Sequence, residues 1–431
     1  MALKKLNDIF LLFSYPNRVF LTSIRRIIMH KKLLATLLIT CSFSSLAMAG
    51  GYQLQEYSIV NLGRAFGGAG VAGDDYSAVA FNPAGMMLKD TGLQLGTVYA
   101  AIRGHANGEL RSKETDMVVG NGKGKLKTDV LIPSFFGQIK ASEKLRIGAG
   151  VYVPFGLGTY YKKNWYGNTH AINSEISTID TALAVAYQLT STVSVGASAF
   201  LEYADARLTS KHPVQPTTSD LNADGWKPGY SVGIMYKPQK ETRLGVSYRS
   251  KVHHNIKGSH YLGDKIGHCG TSLTFPEHVL ISGYQEVGKF GLSAFARWTR
   301  WSQFDQLNIH SDVSGTMQNL PTVDEDWRNV WTIGTGVDYH YNTNWTYRAG
   351  VAFDQGAVKR PANRTARVPD SNRWQTSLGL SYTKNNWQID AAYMHLFWKT
   401  STSNNLVSGT YLDAKYRVHM DILGVGLQYH F

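Results

Sequence analysis

From about residue 91 onward, apolar side chains return at every second position in runs of about ten. Over 290–298, Phe290, Leu292, Ala294, Ala296 and Trp298 share one face, while Gly291, Ser293, Phe295 and Arg297 share the other. The same period runs through 193–203, 331–339, 347–353, 374–382 and 387–393. A period of two marks a strand with unlike faces, and about ten residues is the length a tilted strand needs to cross a bilayer. Short polar turns fall at 141–144, 189–192, 237–242, 287–289, 342–344 and 384–386. Between them lie long polar stretches that read as irregular loops, at 104–127, 155–175, 208–225, 251–270, 302–328, 355–372 and 399–415. Short turns on one rim and long loops on the other are the layout of an outer-membrane β-barrel, with the long loops outside the cell.

The ends of the runs carry further signals. Tyr187, Tyr236, Tyr284, Tyr339 and Tyr382 stand where strands enter short turns, as in an aromatic girdle on the periplasmic side. The chain closes with Leu423, Val425, Leu427, Tyr429 and Phe431 in alternation, a last strand suited to pair with the first and to be read by the barrel assembly machinery. Counting from Leu93 predicts an all-β, antiparallel transmembrane barrel of about fourteen strands spanning 91–431.

The first ninety residues differ. Met29-His30-Lys31-Lys32, an apolar stretch from Leu33 to Leu46 and Ala47-Met48-Ala49 read as a secretory signal over 1–49, with Met29 an alternative start. Residues 50–90 are rich in Gly and Ala, with a weak helical stretch over 74–80, and do not read as strand. A compact segment ahead of a wide barrel predicts a hatch inside a lumen that would otherwise be a water channel.

Composition changes this picture little. The chain has 431 residues, a formal net charge of +13 and a mean hydropathy of -0.22. Averaging over the two faces of a barrel strand hides its apolar half, so that hydropathy does not argue against a membrane. Seven of the basic residues lie in the first 32 positions, and no basic stripe suggests nucleic acid. With Cys41 in the leader and Cys269 alone, the mature chain forms no internal disulfide.

The segment 51–87 resembles the hatch of the long-chain fatty acid transporter (FadL) family. The matching pieces are Gly51-Tyr52-Gln53-Leu54, Asn61-Leu62-Gly63-Arg64-Ala65-Phe66, Asp74-Asp75 and Asn82-Pro83-Ala84-Gly85-Met86, with Thr274-Phe275-Pro276-Glu277 and Phe353-Asp354 in the barrel. The resemblance implies a fourteen-stranded barrel with a lumen pocket for hydrophobic ligands, reached by the N-terminus. Tyr52 stands where the family has Phe, and its hydroxyl needs a partner if buried. The resemblance also implies that Asn82, Pro83 and Ala84 face a kink in an early strand that opens the wall sideways. A plain tight turn is the other reading of that triplet.

If the fuller apolar stripe faces lipid, the lumen face carries Phe200, Glu202, Arg297, Arg348, Asp354, Asp390, Met394 and Leu396. Arg297 and Arg348 are candidates to hold a carboxylate head group, or else pair with acids such as Glu202 or Asp354. His253, His254, His260, His268 and Cys269 fall in one stretch read as loop, but their spacing is irregular for zinc. No nucleophile elbow or phosphate loop stands out, so no catalytic residue, metal or cofactor is expected. The expected function is passive uptake of hydrophobic compounds, long-chain fatty acids first, by a monomer in contact with outer-membrane lipid and lipopolysaccharide. Aromatic or alkane hydrocarbons carried by the same fold are the alternative, ahead of a barrel lipase or protease and of an adhesin or phage receptor.

Overall fold

The computed structural model describes residues 51–431. The signal segment, the Met29 start, the cleavage after Ala49 and Cys41 therefore lie outside the described residues. Fourteen antiparallel strands form the wall: β1 (Gly92–Ser112), β2 (Val118–Ser142), β3 (Leu145–Tyr152, resuming as Gly156–Tyr160), β4 (Asn173–Gln188), β5 (Val193–Lys211), β6 (Thr218–Tyr236) and β7 (Thr242–Arg249, resuming as Val252–Leu262). They continue as β8 (Lys265–Phe275, resuming as His278–Val287), β9 (Phe290–Thr299), β10 (Val330–His340), β11 (Trp345–Asp354), β12 (Arg373–Lys384), β13 (Trp387–Trp398, extended by Ser401–Val407) and β14 (Thr410–His430). Each strand pairs with the next, and β14 pairs with β1 from Gly92↔His430 to Ser112↔Thr410, so the sheet closes and leaves no edge.

The alternation read from the sequence holds in the wall. On β9, Arg297 and Phe295 point inward and are buried, while Phe290 and Leu292 are exposed. An outward apolar band runs round the sheet through residues such as Leu183, Leu201, Ile234, Ile333, Leu378 and Val425. The short turns fall where the sequence places them. Of the five girdle tyrosines, Tyr187, Tyr236, Tyr339 and Tyr382 point outward. Tyr284 is a correction: it is buried in the lumen, where its hydroxyl donates to Asp338 at 2.7 Å.

The long stretches need the larger correction. Most of 104–127, 208–225, 251–270 and 399–415 is strand, because β1, β2, β6 and β14 run for 21, 25, 19 and 21 residues. Such strands exceed a bilayer crossing and project beyond it, where the outward face turns polar while Ala106, Leu110, Leu126, Leu412 and Tyr416 keep the inward face apolar, so the stretch no longer reads as a lipid-facing strand. Stretches 155–175, 302–328 and 355–372 stay largely irregular. The histidine group also separates. Neighbours on a strand point to opposite faces, so His254 turns inward to Glu202 (3.0 Å) while His253 turns out to Thr274. No group of His, Cys, Asp and Glu among the described residues could hold a metal.

Residues 51–86 precede the wall and are buried almost throughout against the inward faces of its strands. Two short helices, α1 (Ile59–Leu62) and α2 (Ala78–Phe81), and a 3-10 turn (Pro83–Leu88) are joined by tight turns. The helical signal over 74–80 is realised only as α2. Ser58 caps α1 by accepting from the Asn61 N–H (3.1 Å). Helices this short have little stability of their own. They are held by packing of Tyr57, Ile59, Leu62, Phe66, Val79 and Phe81 into the apolar lumen.

Candidate functional site

A break in β3 organises the site. Residues 153–155 read Val-Pro-Phe, and Pro154 cannot donate to a ladder. The β2–β3 ladder ends at Phe135↔Val151, and Gly156–Tyr160 pairs with β4 instead. The open backbone groups at the break are met by the N-terminal segment. The Leu54 N–H donates to the Pro154 carbonyl (2.8 Å), the Gly156 N–H donates to the Tyr52 carbonyl (2.7 Å), and Gln53 and Phe155 form an antiparallel bridge. Residues 52–54 thus act as a short added strand at a weak point in the wall.

The same three residues carry Tyr52 into an aromatic cage. Its ring lies 4.6 Å from Trp301, 5.6 Å from Trp327, 5.9 Å from Phe304, 6.1 Å from Phe275 and 6.5 Å from Phe155, all edge-to-face. The hydroxyl that needs a partner has none among the described residues and is fully buried. Gly51 has to be glycine here. Its φ is +67°, and a Cβ would stand 2.7 Å from both Trp301 and Trp327. Gln53 fixes the next step, bonding His278 (2.9 Å) and accepting from Thr299 (2.8 Å). Of the residues around Tyr52, only Phe275 falls in a stretch that the sequence singles out, and a proline inside a strand-like run signals the β3 break.

Above the cage, a pocket of about 40 Å³ is bounded by Tyr52, Leu157, Ile176, Leu273, Phe304 and Leu307. Leu208, Leu307, Glu325 and Arg367 also line a larger cavity of about 370 Å³ among the projecting hairpins and the long connections. Glu325 is buried, and loss of water pushes its carboxyl up to about 8 against the opposing pull of the Trp327 indole N–H (2.9 Å) and Arg367. Burial likewise lowers the Arg367 guanidinium to about 10, with Glu325 opposing. A carboxylic acid and a cation therefore stand together between an outer cavity and an apolar pocket.

The structure separates the two candidate arginines. Arg348 is tied into an ion network with Asp74 (3.0 Å), Asp338 (3.3 Å) and the Ser381 hydroxyl. Arg64 joins the same acids at 2.7 and 2.9 Å, clamping the N-terminal segment to β10 and β11. The partners of Arg348 are Asp74 and Asp338, whereas the acids expected were Glu202 and Asp354. Glu202 pairs with Arg249 (2.7 Å) and Asp354 with Arg373 (2.8 Å). Arg297 is 3 % exposed, its Nε makes no hydrogen bond, and the buried acids Asp354 and Glu56 act on it only from beyond ion-pair distance. It lies two residues before Thr299 on β9, on the strand face against which Gln53 is anchored.

Asn82, Pro83 and Ala84 do not sit at the β3 break. They dock on β5, β6 and β7, where Gly196, Gly233 and Gly245 leave room for them. Asn82 caps the 3-10 turn by accepting from Ala84 N–H (3.1 Å) and donates to the Ile234 carbonyl (3.2 Å). Gly196→Ala would place a methyl 2.4 Å from the Ala84 nitrogen. It is expected to cost about 1–3 kcal/mol by overpacking, read as a lower thermal midpoint and easier proteolysis of residues 51–90. Gly283→Ala, whose methyl meets only the tip of Leu244 at 3.2 Å, should leave both unchanged. Equal effects from the two changes would refute the docking argument.

Comparison with known proteins gives a consistent result. The family described as outer membrane protein transport protein (OMPP1/FadL/TodX) matches residues 40–431. A long-chain fatty acid transport protein of Escherichia coli O6:H1 is 29 % identical over 406 residues, covering 82 % of this chain and 88 % of that protein. The crystal structure of a Pseudomonas aeruginosa FadL homologue superposes with a TM-score of 0.81 at 22 % identity, over 88 % of this chain and all of the other. The Ralstonia pickettii toluene transporter TbuX superposes with a TM-score of 0.63 at 17 % identity, over 87 % and 98 %.

Proposed function

Because this chain belongs to the outer membrane protein transport family (OMPP1/FadL/TodX), it is an outer-membrane transporter of hydrophobic compounds, and we propose that its cargo is a long-chain fatty acid taken up passively past a hatch formed by residues 50–90. The observation that carries the reading is Arg297, a buried cation that makes no ion pair among the described residues, whereas Arg348, Arg249 and Arg373 are each paired with buried acids of the lumen. A buried unpaired charge is costly, and an incoming carboxylate would supply its counter-ion.

In this reading, ligand collects in the outer cavity and passes Glu325 and Arg367. It then competes with Tyr52 for the aromatic cage. Displacing residues 52–54 also withdraws the added strand from the β3 break, which couples loading to opening of a sideways route. The fatty acid transport protein relative supports this cargo. Asn82, Pro83 and Ala84, docked on β5–β7, hold the hatch in place in this reading.

A second reading rests on the cage, which is neutral and aromatic and would suit a headless aromatic hydrocarbon. Displacement of a bound fluorescent fatty acid separates the two. Palmitate is expected to compete at least about tenfold better than hexadecane or toluene, the worth of one charge-assisted contact. Equal competition would remove the fatty acid reading and favour the hydrocarbon.

A further inference from the structure

The outer surface of the barrel is not uniform above its apolar band. Across the β14–β1–β2 seam, Tyr99 pairs with Leu131 on one side and Leu423 on the other, forming the last largely apolar row. The next row, Ala101 with Asp129 and Asp421, turns polar. Beyond it, Lys127, Arg103 and His419 stand side by side, then Lys125, His105 and Arg417, then Lys123, Asn107 and Lys415. All these side chains take the outward face of their strands. Six fixed cations and two imidazoles thus share three rows on three adjacent strands.

Part of this charge is answered within the protein. Asp129 accepts ion pairs from Arg103 and from Lys127 (3.3 Å), and Asp421 is engaged by Tyr393 and His395 at 2.7 Å. Lys123, Lys125, Lys415 and Arg417 have no ion pair among the described residues. Like charges at this spacing repel, so the arrangement asks for anions from outside. The wall at β4–β6 is different. Above the aromatic pair Tyr203 and Trp226, Asp205 stands opposite Asp224, and Glu175 and Asp220 flank Arg207. The cations are therefore denser on this flank than on β4–β6, which a uniformly basic rim would not produce.

Position identifies the partner. The cations begin two rows past the last apolar row, about 13 Å along the strand, where the head groups of the outer leaflet meet the wall. We propose that Lys123, Lys125, Lys415 and Arg417, with Arg103 and Lys127 at their edge, dock the phosphate groups of an acylated, phosphorylated saccharide of that leaflet (lipopolysaccharide). The acyl chains would lie along Leu131, Leu423 and Val425. Basic clusters beside an apolar surface hold anionic lipids in this way, with attraction that salt screens. The site is separate from the lumen and independent of the cargo.

The test uses the mature full chain in detergent, titrated with lipid A carrying two phosphates or with its dephosphorylated form, and read by native mass spectrometry. The phosphorylated form should bind at least about tenfold more tightly. The combined change Lys123→Gln, Lys125→Gln, Lys415→Gln and Arg417→Gln should abolish that preference, while the same lysines changed to Arg should keep it. Changing Lys237, Lys240, Lys289 and Lys384 on the short-turn rim to Gln should also keep it. Heat-shifted migration on gels confirms that each variant is folded, and these outward positions carry no packing. Equal binding of the two lipid A forms, or a preference that survives the fourfold change, overturns the proposal. So does phosphatidylglycerol binding as tightly as phosphorylated lipid A, since charge alone would then suffice. Loss of fatty acid uptake in these variants is not expected, which keeps this test distinct from that of the cargo.

Discussion

Deleting residues 50–54, or replacing Tyr52 with Ala, is expected to leave a folded barrel that binds ligand but no longer couples binding to efficient transfer. Tyr52 fills a cage of five aromatic residues, and truncating a buried ring of this size costs about 3–5 kcal/mol. That cost falls on docking of the N-terminal segment, because the fourteen-stranded ladder closes without it. A tethered segment competes at high effective concentration, so its removal abolishes the threshold for loading. Hydrogen exchange should show the Leu54 and Gly156 amides losing protection together in Tyr52→Ala, and the Gly156 amide losing it in the deletion, since both bonds depend on the added strand. Uptake of labelled oleate by cells with matched surface levels supplies the functional readout. If both variants exchange and transport like the parent, the segment is a structural plug only.

Arg297→Met and Arg348→Met should fail in opposite ways. Without Arg297, palmitate affinity is expected to fall by about 1.5–3 kcal/mol, roughly ten- to 150-fold, with little change for a neutral hydrocarbon. Stability should hold or rise, since an unpaired buried charge has been replaced by an apolar side chain. Arg348→Met instead removes one of two cations from Asp74 and Asp338. Breaking a buried network in this way costs about 3–5 kcal/mol, so thermal stability and docking of the N-terminal segment should drop first. Calorimetric binding with parallel denaturant melts separates the outcomes. Unchanged palmitate affinity in Arg297→Met would remove this arginine as the head-group site.

Much of this was legible in the order of residues. Period-2 runs place the wall strands, the short turns and the inward faces, because a strand half in lipid and half in a lumen must alternate. The closing strand reads equally plainly from Leu423 to Phe431. Above the membrane the outward face turns polar and the apolar residues lie on the inward face, as with Ala106, Leu110 and Leu126, so strand extensions such as those of β1 and β2 look like loop. Tyr284 shows the limit within the wall: a tyrosine at a strand end serves a lipid interface or a buried carboxylate equally well, and only the partner Asp338 decides.

The candidate site divides along the same line. The sequence by itself determined a closed fourteen-stranded wall, a Gly-rich segment before it, and two inward arginines, since periodicity and residue type are local properties. Tertiary structure decided which arginine is engaged, because Asp74 comes from the N-terminal segment and Asp338 from β10, and only folding brings them to Arg348. It also assembled the cage around Tyr52 from β3, β8 and the connection between β9 and β10, whose aromatic residues are far apart in the chain. Finally, it brought residues 52–54, and not Asn82, Pro83 and Ala84, to the β3 break. Backbone groups left open at Pro154 need partners from elsewhere, and the strand that supplies them is chosen by where the N-terminal segment can reach.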